Sequence, residues 1–115
     1  PVQAGATALL TGSQSSVART RATYEARRNM LCDGLTAAGW SVARPAATMF
    51  VWAPIPERYA TSADFALQLA ERTGVIVTPG EAFGPDGAGH VRMALVQSPE
   101  RMAQAVRRVA ESGVL

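Results

Sequence analysis

Residues 74–96 read GVIVTPGEAFGPDGAGHVRMALV. Two apolar, β-branched runs, residues 75–78 and 90–96, flank a loop rich in Pro and Gly. This pattern predicts a strand–loop–strand unit, and it places Arg92 in the middle of the second strand. Side chains alternate along a strand, so Val91, Met93 and Leu95 share one face. Ala94 and Val96 share the other face with Arg92, so the sequence marks neither face as wet. A guanidinium keeps its charge in any protein environment. Left buried and unpaired, it costs several kcal/mol. Arg92 therefore needs an anionic partner, either a carboxylate of this chain or one carried by a ligand, and the residues leave both open.

The rest of the chain narrows the setting. At 115 residues it is the size of one domain. Only 17% of its residues are charged, against about 25% in an average globular domain. A surface this apolar is expected to meet another surface. No run reaches the ~18 apolar residues of a membrane span, and no basic segment precedes an apolar one as in a signal peptide. A cytoplasmic protein, or a piece of one, is the expectation. All eleven basic residues are Arg, and they are dispersed. Nucleic-acid binding calls for a clustered basic stripe with interleaved aromatics, so no nucleic-acid partner is expected. The doublets Arg27–Arg28 and Arg107–Arg108 read as solvated helix faces. Cys32 and His90 are the only residues of their kinds, which excludes an internal disulfide and a Cys or His metal cage. Cys32 reads as a small apolar residue within a helix. The chain contains no Lys, so only its N-terminal amine could form a Schiff base.

Helix and strand signals alternate along the sequence. Residues 1–10 are small and apolar, opened by Pro1 and ended near Gly12, and predict a helix covered on several sides. Residues 13–39 carry the longest helical pattern, with Val17, Tyr24, Leu31, Leu35 and Ala38 on one stripe. Such a helix is about twice the ordinary length and suits a bridge between structural units. Residues 40–44 are a short strand candidate broken by Pro45, and residues 48–53 are a strand stopped by Pro54 and Pro56. Thr61 or Ser62 caps a helix running to about Thr73, burying Phe65, Ala66, Leu69 and Ala70. Ser98-Pro99-Glu100 opens a last helix, with Met102, Val106, Val109 and Ala110 inward and Gly113 at its end. The order predicts an α/β chain of two layers, a small mixed or antiparallel sheet packed by helices. The glycines of residues 80–89 lie between two strands and open no helix, which rules out phosphate-binding glycine loops.

The segments PATMFVWAPIP, GVIVTPGEAFG and GHVRMALV, in this order and preceded by PVQAGATALLTGSQSSV and YEARRNML, resemble class I and II aminotransferases. These are the fold-type I, pyridoxal-phosphate-dependent enzymes, and the branch that this chain is most similar to holds LL-diaminopimelate, alanine and aspartate aminotransferases. The resemblance covers essentially the whole chain and points to the small C-terminal domain. It implies a division into the tail of a large domain (1–12), an inter-domain helix (13–39) and the small domain (40–115). It implies that Arg92, at the position of the family's arginine in the final strand, binds the α-carboxylate of an amino-acid or 2-oxo-acid substrate as a planar fork.

The family's Schiff-base lysine and cofactor-binding groups map onto no residue here. The resemblance thus implies that pyridoxal phosphate belongs to the parent enzyme, a homodimer, and that this chain alone is inactive and binds no cofactor covalently. Where the family often has Gly-Glu-Gly-Tyr, this chain has Gly87-Ala88-Gly89-His90. His90 is expected at an exposed strand end, with an acid/base or substrate contact as the rarer role. Glu81 and Asp86 are expected as solvated loop residues. Phe83, between glycine turns, either lines the substrate pocket or pins its loop, and Phe50 and Trp52 are expected in the core. The alternative is a free-standing, non-catalytic module that binds amino acids or pairs with a protein through its apolar N-terminal helix.

Overall fold

The last two helices start where the sequence supplies side-chain caps. In the computed structural model, which describes residues 1–115, α1 is Val2–Thr11, α2 is Ser15–Ala37, α3 is Ser62–Thr73 and α4 is Pro99–Glu111. The strands are β1 (Phe50–Pro54), β2 (Thr78–Pro79) and β3 (His90–Ala94). Thr61 Oγ1 accepts the Asp64 N–H at the start of α3, and Gly74, at φ 69°, ends that helix in the left-handed conformation. Ser98 Oγ accepts the Arg101 N–H ahead of α4, with Pro99 in the first turn.

The sheet runs β1-β3-β2, and both pairings are antiparallel. Its inner face is Val51, Ala53, Val91 and Met93, all buried under the helical layer. Phe65, fully buried on α3, sets its ring edgewise against Trp40 at 5.1 Å and Tyr59 at 5.0 Å. Leu31 and Leu35 of α2, Leu69 of α3 and Met102 and Val109 of α4 complete this core. The architecture is the expected two-layer arrangement of helices on a small antiparallel sheet.

Several local expectations need correction. Residues 40–44 form no strand. Trp40 and Val42 are buried as an alternating pattern implies, but their N–H groups go to Leu35 O and Thr36 Oγ1 at the end of α2. The Trp40 indole N–H then bonds Pro54 O at 2.7 Å, tying this extended segment to the end of β1. The first strand starts at Phe50 because Thr48 sits at φ 77°. That conformation costs a β-branched residue about 1–2 kcal/mol, offset in part by its hydroxyl accepting the Phe50 N–H at 3.1 Å. Of residues 75–78 only Thr78 pairs, and Ile76 is 86% exposed. Ala110 faces outward on α4.

The arginine doublets part company. Arg107 and Arg108 are exposed, whereas Arg27 and Arg28 are half-buried. Arg27 Nη1 donates to Leu95 O at 3.0 Å, and Arg28 binds Pro45 O and Asn29 Oδ1. Both fasten α2 to the sheet layer. Cys32 is buried beside them, and that burial, with Asp33 next to it, pushes its thiol above the ordinary range.

The N-terminal arm stands apart from this body. No residue of α1 is buried, and Val2, Leu9 and Leu10 are at least 75% exposed. Val17 on α2 is also exposed, so the α2 stripe is covered only in its C-terminal half. The radius of gyration is 16.6 Å, against about 13 Å for a compact domain of this length. The expected cover on α1 is not supplied by this chain. No helix is long and apolar enough to cross a membrane.

Candidate functional site

The outer face of the sheet gathers the residues that carry chemistry. Antiparallel register sets Trp52 and Thr78 on either side of Arg92, Phe50 opposite Ala94, and Pro54 opposite His90. Paired residues point to the same side, so Phe50, Trp52, His90 and Arg92 share this face. Phe50 and Trp52 are therefore not core residues. The small Val51 and Ala53 turn inward, and the large rings turn out, with Trp52 40% exposed.

Arg92 is half-buried. Its Cζ lies over the Phe50 ring at 4.2 Å from the centroid and over the Phe83 ring at 4.3 Å. Both distances are well within the ~6 Å of a cation–π contact. Trp52 meets Phe83 edgewise at 5.9 Å and stacks on His90 at 5.7 Å with 18° between the ring planes. His90 Nδ1 lies 3.2 Å from Ala88 O, a carbonyl that can accept an N–H from it.

No acid of this chain pairs with Arg92. The two ion pairs are Arg28–Glu25 and Arg44–Asp33, and the Arg92 side chain donates no hydrogen bond to another residue. The first of the two partners open to it, an internal carboxylate, is not what holds it. Its setting also differs from the dry strand expected. Ala94 and Val96 are exposed, so Arg92's face is open, and the rings rather than a buried core surround the charge.

The loop that brings Phe83 over the arginine is built on close backbone approach. Gly80–Phe83 and Pro85–Gly87 form two 3-10 turns. A Cβ on Gly80 would run into the carbonyls of Gly87 and His90, and one on Gly87 into the carbonyl of Gly80. Only glycine admits this contact. Gly84, at φ 119°, reverses the chain between the turns. Glu81 is exposed as expected but is not merely solvated. Its Oε1 accepts the Ser62 N–H at 3.2 Å at the start of α3. Hydrogen bonds from its own backbone N–H, then from Ser62, hold its carboxyl below the usual range. Asp86 is exposed.

Sequence reading found Arg92, Phe83 and His90 but missed Phe50 and Trp52 as their neighbours. The signal was available in the period of β1, which alternates small and large apolar residues. A groove of about 510 Å³ between α2 and residues 45–49 includes none of these side chains. Its Arg28 is already engaged by Asn29 and Pro45. No group of His, Cys, Asp and Glu is placed to hold a metal ion.

Known proteins share this sequence and this fold. The sequence model for aminotransferase class I and II matches residues 1–109. An LL-diaminopimelate aminotransferase of Moorella thermoacetica is 44% identical over 94% of this chain. The glutamate-pyruvate aminotransferase AlaC of Escherichia coli is 44% identical over 95%. In each case the chain spans 27% of the relative's length. The substrate-bound structure of BacF from Bacillus subtilis superposes with a TM-score of 0.84 and 33% identity, over 90% of this chain and 27% of that one. An aspartate aminotransferase of Thermus thermophilus with maleate gives a TM-score of 0.78 at 33% identity, over 89% of this chain and 25% of that one. The chain belongs to the class I and II aminotransferase family.

Proposed function

We propose that this chain is the small-domain part of a pyridoxal-phosphate-dependent aminotransferase and that Arg92 binds the substrate's α-carboxylate. The observation that carries the reading is a half-buried guanidinium, ring-flanked and free of any internal acid. An Arg fork matches a carboxylate with two parallel hydrogen bonds. Similarity to an aspartate aminotransferase solved with maleate, a dicarboxylate, agrees with a carboxylate ligand. Names among the relatives favour LL-diaminopimelate, or glutamate with pyruvate as acceptor, as substrates of the whole enzyme.

In this reading residues 1–12 end the large domain, residues 13–39 bridge the domains, and residues 40–115 are the small domain of a homodimeric, cytoplasmic enzyme. Pyridoxal phosphate supplies the carrier for the amino group when bound to the whole enzyme. The residues of this chain do not fit that group: they include no Lys, and the glycine loop closes on itself between strands. The part played here is binding and orientation. Arg92 fixes one end of the substrate, Phe83 lines the same place, and closure of the small domain excludes water and aligns the reacting Cα–H bond.

The test is Arg92→Lys in the whole enzyme. Loss of the bidentate fork should lower kcat/KM about 10- to 100-fold, mostly through KM. An unchanged KM for amino-acid substrates overturns the role of Arg92. The 115-residue chain alone should release all added pyridoxal phosphate on dialysis, and retained cofactor absorbance overturns its assignment as an inactive part. The fully exposed apolar α1 favours a second reading, a non-catalytic amino-acid-binding or protein-interaction module. A well-defined monomer or dimer with carboxylate affinity supports that module. Aggregation rescued by the remainder of the enzyme supports the first reading.

A further inference from the structure

We propose that Phe50 and Phe83 are positioning residues that clamp the Arg92 guanidinium from two sides, so that only its in-plane N–H edge is offered to a ligand. The clamp fixes the direction from which a bidentate oxyanion meets the fork. A guanidinium donates all five hydrogen bonds in its own plane and none from its faces. The Arg92 Cζ lies over both rings, 4.2 and 4.3 Å from their centroids. The two rings make no pair with each other, although Phe83 pairs with Trp52. Two rings this close to one atom yet apart from each other approach it from different sides.

Their anchors are independent. Phe50 stands on β1, two residues from Trp52 and opposite Ala94 in the register. Phe83 ends the first 3-10 turn of the loop. That turn is held by the Gly80–Gly87 backbone contact and by Glu81 on the Ser62 N–H. Phe83 also leans on Trp52, the cross-strand neighbour of Arg92 itself. Loop, strand and guanidinium are thus one stack. Its order fixes the direction of the N–H fork before any ligand arrives, which lowers the ordering cost of binding. Phe83 is 51% exposed, so burial alone does not explain its place. The orientation of Arg92 does. The ligand named for the fork, a carboxylate, rests on the proposed role of Arg92, whereas the clamp itself does not.

The experiment uses the whole enzyme labelled with ¹⁵N at arginine, with the Arg92 signals assigned by their loss in Arg92→Lys. Rotation about the Arg92 Nε–Cζ bond is measured by NMR in wild type, Phe83→Leu and Phe50→Leu, and each is titrated with acetate. Rotation should be slow in wild type and faster in both variants. Acetate affinity should fall about two- to fivefold per ring removed. Either variant with an intact backbone spectrum is sufficient. Equal rotation in all three proteins overturns the clamp and leaves the carboxylate reading standing. Slow rotation in a wild type that takes no acetate overturns the carboxylate reading and leaves the clamp standing.

Discussion

The inner face of the sheet presents Val51, Ala53, Val91 and Met93, none more than 8% exposed. The outer face presents Phe50, Trp52, His90 and Arg92, with Trp52 at 40%. Packing by area alone would place the larger rings inside, since apolar area buried is the main gain of folding. Here the smaller residues are inside because α3 and α4 already bring Phe65, Leu69 and Met102 to the interior. The rings outside are held by one another and by a cation. The inner face serves stability and is indifferent to chemistry. The outer face gives up burial to hold a charge in a fixed orientation.

The sharpest way to break this comparison is to place the same charge on both faces of β3. Val91→Asp buries a carboxylate at a position with no exposed surface. It should cost several kcal/mol, enough to unfold a domain whose whole stability is about 5–15 kcal/mol. Ala94→Asp, three residues on and exposed, should change stability by no more than about 0.5 kcal/mol. Thermal melts followed by circular dichroism read both. Similar losses at the two positions would mean that the outer face is covered in solution.

A smaller effect separates the loop from the sheet. Gly80→Ala forces a Cβ against the Gly87 and His90 carbonyls. Backbone atoms cannot swing aside as side chains do, so the loop must shift, at about 1–3 kcal/mol. The shift should appear in Trp52, which touches both Phe83 and His90, as altered tryptophan fluorescence below the melting temperature. Trp40, the other tryptophan, is buried against Phe65 and should not respond. Unaltered Trp52 emission would show that the loop does not set the outer cluster.

Local chemistry made much of this legible in the sequence. Thr61, Gly74, Ser98 and Pro99 mark their helix ends because each satisfies or replaces a backbone group there. Arg92 stands out because a fixed charge in an apolar strand must be explained. What could not be read depends on what lies across space. Alternation in residues 48–54 shows that two faces exist, but which one α3 covers is decided by the partner layer. Residues 40–44 alternate like a strand and bury like one, yet their partners are α2 and Pro54 O rather than a ladder. The cover expected on α1 lies in no residue of this chain, since none of its side chains is buried. Glu81 looked like any loop acid, because its tie to Ser62 spans 19 positions that no local pattern connects.

That tie gives the smallest effect and joins the two faces. Glu81 links the loop of the outer face to the start of α3, which covers the inner one. Its folded carboxyl titrates below the ordinary value of 4.5, chiefly through its own backbone N–H and then through Ser62. A carboxyl depressed in the folded state stabilises the fold above its unfolded value and loses that contribution as pH falls through the folded one. Glu81→Gln keeps an oxygen acceptor and removes the charge. At pH 7 the variant should melt lower than wild type by at most a few degrees, because the group is exposed and screened. Below pH 4.5 the difference should shrink, and it should vanish once Glu81 is protonated in the folded protein. A gap that persists unchanged into acid would mean that Glu81 acts by shape alone, and that the loop and α3 are joined without the help of its charge.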